Sequence, residues 1–384
     1  MPDKTILILG GGIGGHVAAN RLRRLLGQEH RIVLVDRERT FTFSPSLLWM
    51  IVGAREPAQF SRDLDRLTRK GIEVVQAEVT AIDPAARRVS TSAGEFTGDY
   101  LIIALGAGLA HDAVSGWKPA ALNFYCLKGA ELTRSALASF QGGRLALVVA
   151  ATPYKCPAAP YEAAMLIADD FVRRGMHEKV DLHVYTPESL PMPVAGPVLG
   201  NAVREMLEER GVGFHPNLKL ERVDGEARTL VFASGERAEF DLLLGVPPHR
   251  APSVVREAGL LSEAGWIPVD ARTLKTRYDG VYAIGDITTI MLPVGKPLPK
   301  AGVFAHHEAE TVARNIAAEI QGRRPESTFD GRGYCFLELG AGRAGFAGGD
   351  FYATPEPRVT MRWPGYHWHW GKVLFERWWL RRWF

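Results

Sequence analysis

Residues 5–36 restrict what this chain can fold into more than any other stretch. TILIL is a short β-rich run, Gly10, Gly12 and Gly15 spell G-x-G-x-x-G, HVAANRLRRLL has helical periodicity, and RIVLVD is a second strand ending on Asp36. In a strand-turn-helix unit that binds a dinucleotide each glycine has a mechanical reason. Gly10 permits the tight turn, Gly12 lets the backbone approach a pyrophosphate, and Gly15 lets the helix pack closely on the strand. Asp36 stands 21 positions after Gly15 (36 − 15), where a carboxylate accepts hydrogen bonds from an adenosine ribose. The segment predicts a Rossmann-type unit in an α/β protein.

At 384 residues, with 46% apolar and 23% charged side chains, the chain can bury at least two cores of domain size. No run approaches the roughly 18 consecutive apolar residues of a membrane span, and MPDKTILILGGG has neither a basic n-region nor a cleavage site. A cytoplasmic location is expected. Cys126, Cys156 and Cys335 are too few and too scattered for a secreted disulfide framework, and no CxxC pair points to zinc, so no metal is expected. No nucleic-acid partner is expected either.

Two segments far downstream decide which dinucleotide the fingerprint serves. GEFTGDYLIIALGAG (94–108) is a short hairpin leading into a buried strand that ends on small residues, Gly106 among them; GVYAIGD (280–286) is another buried strand ending on Gly285 and Asp286. The pairing resembles the two-dinucleotide-domain flavoproteins, glutathione-reductase-like in fold, in which an aspartate at that point binds the ribityl chain of FAD. The resemblance implies FAD. After Asp286, PLPKAGVFAHHEAETVARNIAAEIQG gives a Pro/Gly turn and a long helix starting near Ala301 to Val303. Gly302 and the positive end of that helix would face an anionic reduced flavin, with Lys300 adding charge.

Residues 115–245 repeat the βαβ rhythm between the two FAD segments. The expected organisation is therefore 1–114 and 246–325 for the FAD-binding domain, 115–245 for a second Rossmann-like domain, and 326–384 for a C-terminal region. In a nicotinamide-binding unit the turn after the first strand would be glycine-rich, yet here it is ATPYKCPAAPYEAA (151–164). Its side chains crowd the approach of a pyrophosphate, and Pro153, Pro157 and Pro160 remove three amide donors. The second strand ends in Tyr185 and Thr186 before Glu188, so no ribose-binding acid is cleanly placed. With the hydride donor's site closed and a cysteine at a helix entrance, where thiols tend toward a lowered pKa, sulfur chemistry is the expectation.

KCPAAPYEAA, GVYAIGD followed by PLPKAG, and GYCFLELG (333–340) together resemble the sulfide:quinone oxidoreductase and flavocytochrome c sulfide dehydrogenase flavoprotein family, over residues 1 to about 350. The resemblance implies a redox pair beside the flavin at Cys156 and Cys335, an upstream third cysteine at Cys126, and a proton acceptor at Glu162. It further implies that hydrosulfide opens a Cys156–Cys335 disulfide, and that two electrons reach FAD and then an acceptor, leaving polysulfide or sulfur. Some members carry a histidine shortly after the upstream cysteine; Lys128 and Ala130 stand there in this chain, which leaves the proton carrier and the branch of the family open.

The acceptor is read from the C-terminus. MRWPGYHWHWGKVLFERWWLRRWF holds six of the nine tryptophans and five Arg/Lys against one Glu, an interfacial composition in which tryptophans seek the headgroup level and cations attract anionic lipid. Residues 372–384 do not separate into two faces on a helical wheel. The expectation is a membrane-interacting tail that makes the protein peripheral on the cell membrane, at the cytoplasmic side, with sulfide and a membrane quinone as substrates. The readings kept beside it are a type II NADH:quinone dehydrogenase, opposed by the glycine-free loop, and a flavoprotein subunit feeding a cytochrome c partner or acting as a redox sensor. Homo-oligomerisation stays open.

Overall fold

The computed structural model describes residues 3–384, and its elements follow the periodicities of the chain. TILIL forms β1 (Thr5–Leu9), the glycine turn leads into α1 (Ile13–Leu25), and RIVLVD forms β2 (Arg31–Asp36). The inner residues of both strands are buried on either face, the pattern of parallel strands covered by helices on both sides. Next come β3 (Glu73–Gln76), β4 (Tyr100–Ile103), α2 (Leu127–Ser139), β5 (Gly143–Val149), α3 (Ala159–Arg173), β6 (Val180–Tyr185), β7 (Gly213–His215) and β8 (Leu242–Val246). The chain ends with β9 (Val281–Ala283), α4 (Gly302–Ile320), β10 (Arg332–Gly340), β11 (Arg343–Asp350), β12 (Arg358–Gly365) and α5 (Tyr366–Trp383).

Three sheets organise these elements. The first is parallel in the order β9-β4-β1-β2-β3, so β9 returns from far along the chain to pair with β4. The second, β7-β6-β5-β8, is also parallel, and the third, β10-β11-β12, is antiparallel. This is a pair of Rossmann-like α/β units, as the glycine fingerprint and the repeated rhythm predict. The carboxyl ends of β1, β4 and β9 lie side by side, the usual place for a ligand in an open parallel sheet.

The tail departs from its sequence reading. α5 is one regular helix with two faces. Val373, Trp379, Leu380 and Trp383 join the main core, with Trp379 stacked on Phe41 at 5.1 Å and Phe384 stacked on His16 at 4.1 Å between ring centroids. Trp370, Leu374 and Trp378 lie on the outward side. Hydropathy hides this split because both faces carry tryptophan and the inward one carries Lys372 and Glu376, whose charges find partners inside the protein. No helix among the described residues is long and apolar enough to cross a membrane.

Candidate active site

A cavity of about 620 Å³ opens at the carboxyl ends of β1, β4 and β9. Gly10, Gly12, Asp36 and Gly106 line it from the first strands, and Gly285, Asp286, Lys300 and Gly302 from the last. Gly10 has φ of +98°, a conformation that L side chains avoid. Gly15 lies behind the cavity, where a Cβ would overlap the Gly10 carbonyl oxygen; a Cβ on Gly12 would meet no protein atom, so only a ligand in the cavity calls for glycine there. Asp36 accepts hydrogen bonds from the amides of Gly11 (2.5 Å) and Glu38 (2.7 Å), which fixes its carboxylate at the cavity wall.

The far end of the cavity is charged and incompletely satisfied. Asp286 has a buried Oδ1 with no hydrogen-bond partner, and burial raises its carboxyl above the usual range against the pull of Lys155 and Lys300. An orphaned buried acceptor in a cavity wall calls for a hydroxyl donor, as a ribityl chain provides, so these residues fit FAD. Lys300 is not a solvated lysine. Its Nζ donates to the carbonyls of Asp286 (2.8 Å) and Thr288 (2.9 Å) and lies 3.5 Å from the Trp266 ring centroid, and burial lowers its pKa to about 8. The helix it precedes, α4, begins at Gly302 in the cavity wall. Lys155, to which the sequence reading gave no role, also lines the cavity.

The glycine-free loop between β5 and α3 closes one side. Its Cys156 amide donates to the Lys300 carbonyl at 2.6 Å, tying the second Rossmann unit to the entrance of α4. Here a second cavity of about 410 Å³ begins, walled largely by apolar side chains such as Pro153, Pro157, Met192 and Phe304. Cys335, on β10, lines it together with Cys156, and Cys156 lines the larger cavity as well. Two cysteines 179 positions apart (335 − 156) thus share one wall system, and all three cysteines are free thiols. Cys126 stands apart: it precedes α2, is exposed, lies 3.6 Å from the Asn123 carboxamide oxygen and lines neither cavity.

The thiol pKa values reverse the expectation for a helix entrance. Burial pushes Cys335 up to about 11 and Cys156 higher still, with Cys335 and Glu162 adding to the rise at Cys156 and Lys372 opposing it. Cys335 is exposed at the cavity wall yet crowded by protein, and the attraction of Lys372 only partly offsets the hydration its thiolate loses and the repulsion of Glu162. The pocket therefore favours uncharged sulfur.

Glu162, in the first turn of α3, is fully enclosed and forms an ion pair with Lys372 of α5. Burial raises its carboxyl to about 7, with Lys372 opposing and Glu338 reinforcing the rise; Lys372 is itself held above the ordinary lysine range by these two carboxylates, which outweigh its burial. Glu338 on β10 is buried and accepts from His369 Nδ1 at 2.9 Å. Lys372, Glu338 and His369 were not singled out from sequence. The available signal was one lysine in a tryptophan-rich helix and one acid inside the apolar strand GYCFLELG.

The acid that follows the second strand of this unit is also engaged. Glu188, just past β6, accepts hydrogen bonds from the hydroxyls of Tyr154 (2.7 Å) and Tyr161 (2.5 Å), both buried. With no glycine in the loop and its acid already engaged, this unit lacks the cradle of a nicotinamide dinucleotide.

Residues 4–310 match the family described as pyridine nucleotide-disulphide oxidoreductase. The chain belongs to this family. It is a flavoprotein oxidoreductase with FAD as cofactor. It is similar to the mitochondrial sulfide:quinone oxidoreductase of Mus musculus, 28% identical, over 93% of this chain and 82% of that one. Its fold matches the sulfide:quinone oxidoreductase structure from Aquifex aeolicus with a TM-score of 0.90 at 24% identity, covering 99% of this chain and 91% of that one. A type II NADH:quinone oxidoreductase of Staphylococcus aureus is 24% identical, over 84% of each chain.

Proposed function

We propose that this chain oxidises sulfide and delivers the electrons to a quinone, with Cys156 and Cys335 as its redox pair and the larger cavity holding FAD. The observation that carries the reading is the meeting of the two cavities at Cys156, with Cys335 on the same apolar wall. When bound, FAD supplies the acceptor for the electron pair and the donor to the quinone. The residues hold the sulfur. Hydrosulfide attacks one sulfur of the Cys156–Cys335 disulfide; a new S–S bond forms as the old one breaks, leaving a persulfide on one cysteine and a thiolate on the other. The raised thiol pKa values at Cys156 and Cys335 favour return to uncharged disulfide forms. Glu162, with its carboxyl near neutrality, and Lys372 hold the proton that this exchange moves.

The similarity to type II NADH:quinone oxidoreductases makes nicotinamide the competing donor, and the occupied Glu188 and glycine-free loop disfavour it. A peripheral membrane location is part of the same proposal. Trp363, 89% exposed, joins Tyr366, Trp370, Leu374 and Trp378 in an outward aromatic surface flanked by Arg362, Arg377 and Arg381, a composition suited to a headgroup layer and a lipid-soluble acceptor. The test is Cys156→Ser and Cys335→Ser. Each is expected to retain FAD and lose sulfide-driven quinone reduction; turnover within twofold of the parent in either variant would show that the pair is not the redox centre.

A further inference from the structure

The cysteine loop poses a mechanical problem. It contains no glycine and three prolines, yet Cys156 adopts φ of +53°, left-handed backbone that a non-glycine residue adopts only where its surroundings enforce it. The Cys156 amide is held from one side by the Lys300 carbonyl. The loop itself is held from the other side by a single carboxylate. Tyr154 stands two residues before Cys156 and Tyr161 five after it, and their hydroxyls converge on the same Oε2 of Glu188, at 2.7 and 2.5 Å. Glu188 is itself fixed, its amide donating to Thr186 Oγ1 at 3.2 Å at the end of β6. Two buried phenols and a buried carboxylate satisfy one another, so the assembly rigidifies the loop at little polar cost.

We propose that Glu188 is a positioning residue for the sulfur chemistry: standing three residues past the end of β6, it clamps both ends of the cysteine loop and so sets the Cys156 sulfur within the cavity it shares with Cys335. This rests on the sulfide-oxidising reading above. The clamp acts on the sulfur half of the cycle and leaves the quinone half alone, a distinction that a merely structural role does not make.

The experiment compares the FAD-loaded parent with Glu188→Ala, Glu188→Gln and Tyr154→Phe in two separated half-reactions. Misplacing a reacting group by about an ångström costs up to roughly a hundredfold in rate, so flavin reduction by sulfide should fall about ten- to a hundredfold in Glu188→Ala. Glu188→Gln, whose amide oxygen still accepts from a tyrosine, should recover part of the loss. Tyr154→Phe keeps the ring and removes one hydroxyl; it should fall between parent and Glu188→Ala, and it carries the test if the alanine variant does not fold. Reoxidation of dithionite-reduced enzyme by a short-chain quinone should stay within about twofold of parent in all variants. Equal losses in both half-reactions, or sulfide reduction at the parental rate, overturn the proposal. Maleimide labelling of the reduced protein separates the clamp from the functional reading. The Cys156 rate should change severalfold in Glu188→Ala while the Cys126 rate stays constant, whether or not sulfide reduces the parent, and an unchanged Cys156 rate overturns the clamp by itself.

Discussion

Lys372→Met isolates the buried charge that joins the tail helix to the first turn of α3. Methionine keeps the length of the apolar stem, and the substitution leaves Glu162 enclosed without its cation. Removing one partner of a buried pair costs about 3–5 kcal/mol when the remaining charge has no escape. Here the escape is protonation. With Lys372 present, burial already holds the Glu162 carboxyl at about 7, and without the lysine it rises further. A carboxyl whose folded pKa is raised contributes stability at low pH and loses it as pH climbs toward the folded value. In the parent that loss ends near pH 7; in the variant it continues, at about 1.4 kcal/mol per pH unit. The variant should therefore be closest to the parent at pH 6, where Glu162 is mostly protonated and the loss is about 1 kcal/mol for its hydrogen bond together with the attraction of Lys372 to Glu338. At pH 9 the gap should widen by about 3 kcal/mol (two units of 1.4). Urea unfolding of FAD-saturated protein at pH 6, 7 and 9 measures it. Adding Glu162→Gln to Lys372→Met should abolish the widening. A pH-independent difference, or a double variant that widens like the single one, would refute the pairing.

His16 gives a second pH signature: its imidazole donates from Nε2 to the Trp383 carbonyl at 2.9 Å, its Nδ1 is buried without a partner, and burial lowers its pKa to about 3. The depressed base contributes stability above pH 6.5 that is lost as pH falls toward 3, about 3 kcal/mol by pH 4; His16→Asn should flatten that slope in urea unfolding, and an unchanged slope would exclude His16 as its source. On the outward face of α5, replacing Trp370, Leu374 and Trp378 by Ser should leave the melting temperature within a few degrees of parent while reducing cosedimentation with anionic liposomes severalfold; undiminished binding would move the membrane surface elsewhere. Trp379→Ala, on the inward face, should instead cost about 3–5 kcal/mol of stability, and a smaller loss would mean the tail is only loosely docked.

The cavity proposed to hold FAD was readable in sequence because its lining is local. Gly10, Gly12, Gly15 and Asp36 lie in one βαβ unit whose spacing carries their geometry, and Asp286 to Gly302 lie in one strand-turn-helix whose part at FAD was read from resemblance. The association of Cys156 with Cys335 rested on resemblance, since no local pattern brings the turn after β5 to β10. The Glu162, Glu338, His369 and Lys372 cluster was illegible for the same reason, being assembled from three elements far apart in the chain. The rule that helix entrances activate thiols failed at Cys156 because desolvation in an apolar cavity outweighs a helix terminus. On α5, hydropathy misled because paired charges are as buried as the tryptophans beside them.

In the proposed reaction sulfide, and not nicotinamide, delivers the electrons. An anaerobic visible spectrum of the purified FAD-loaded protein, titrated first with NADH and then with sulfide, tests it most directly. The loop from Ala150 to Glu162 has no glycine and Glu188 is engaged by two tyrosines, so micromolar NADH should leave the oxidised flavin bands unchanged, and sulfide should then bleach them with about one equivalent per flavin. Rapid stoichiometric bleaching by NADH, with sulfide inert, would make nicotinamide the electron donor.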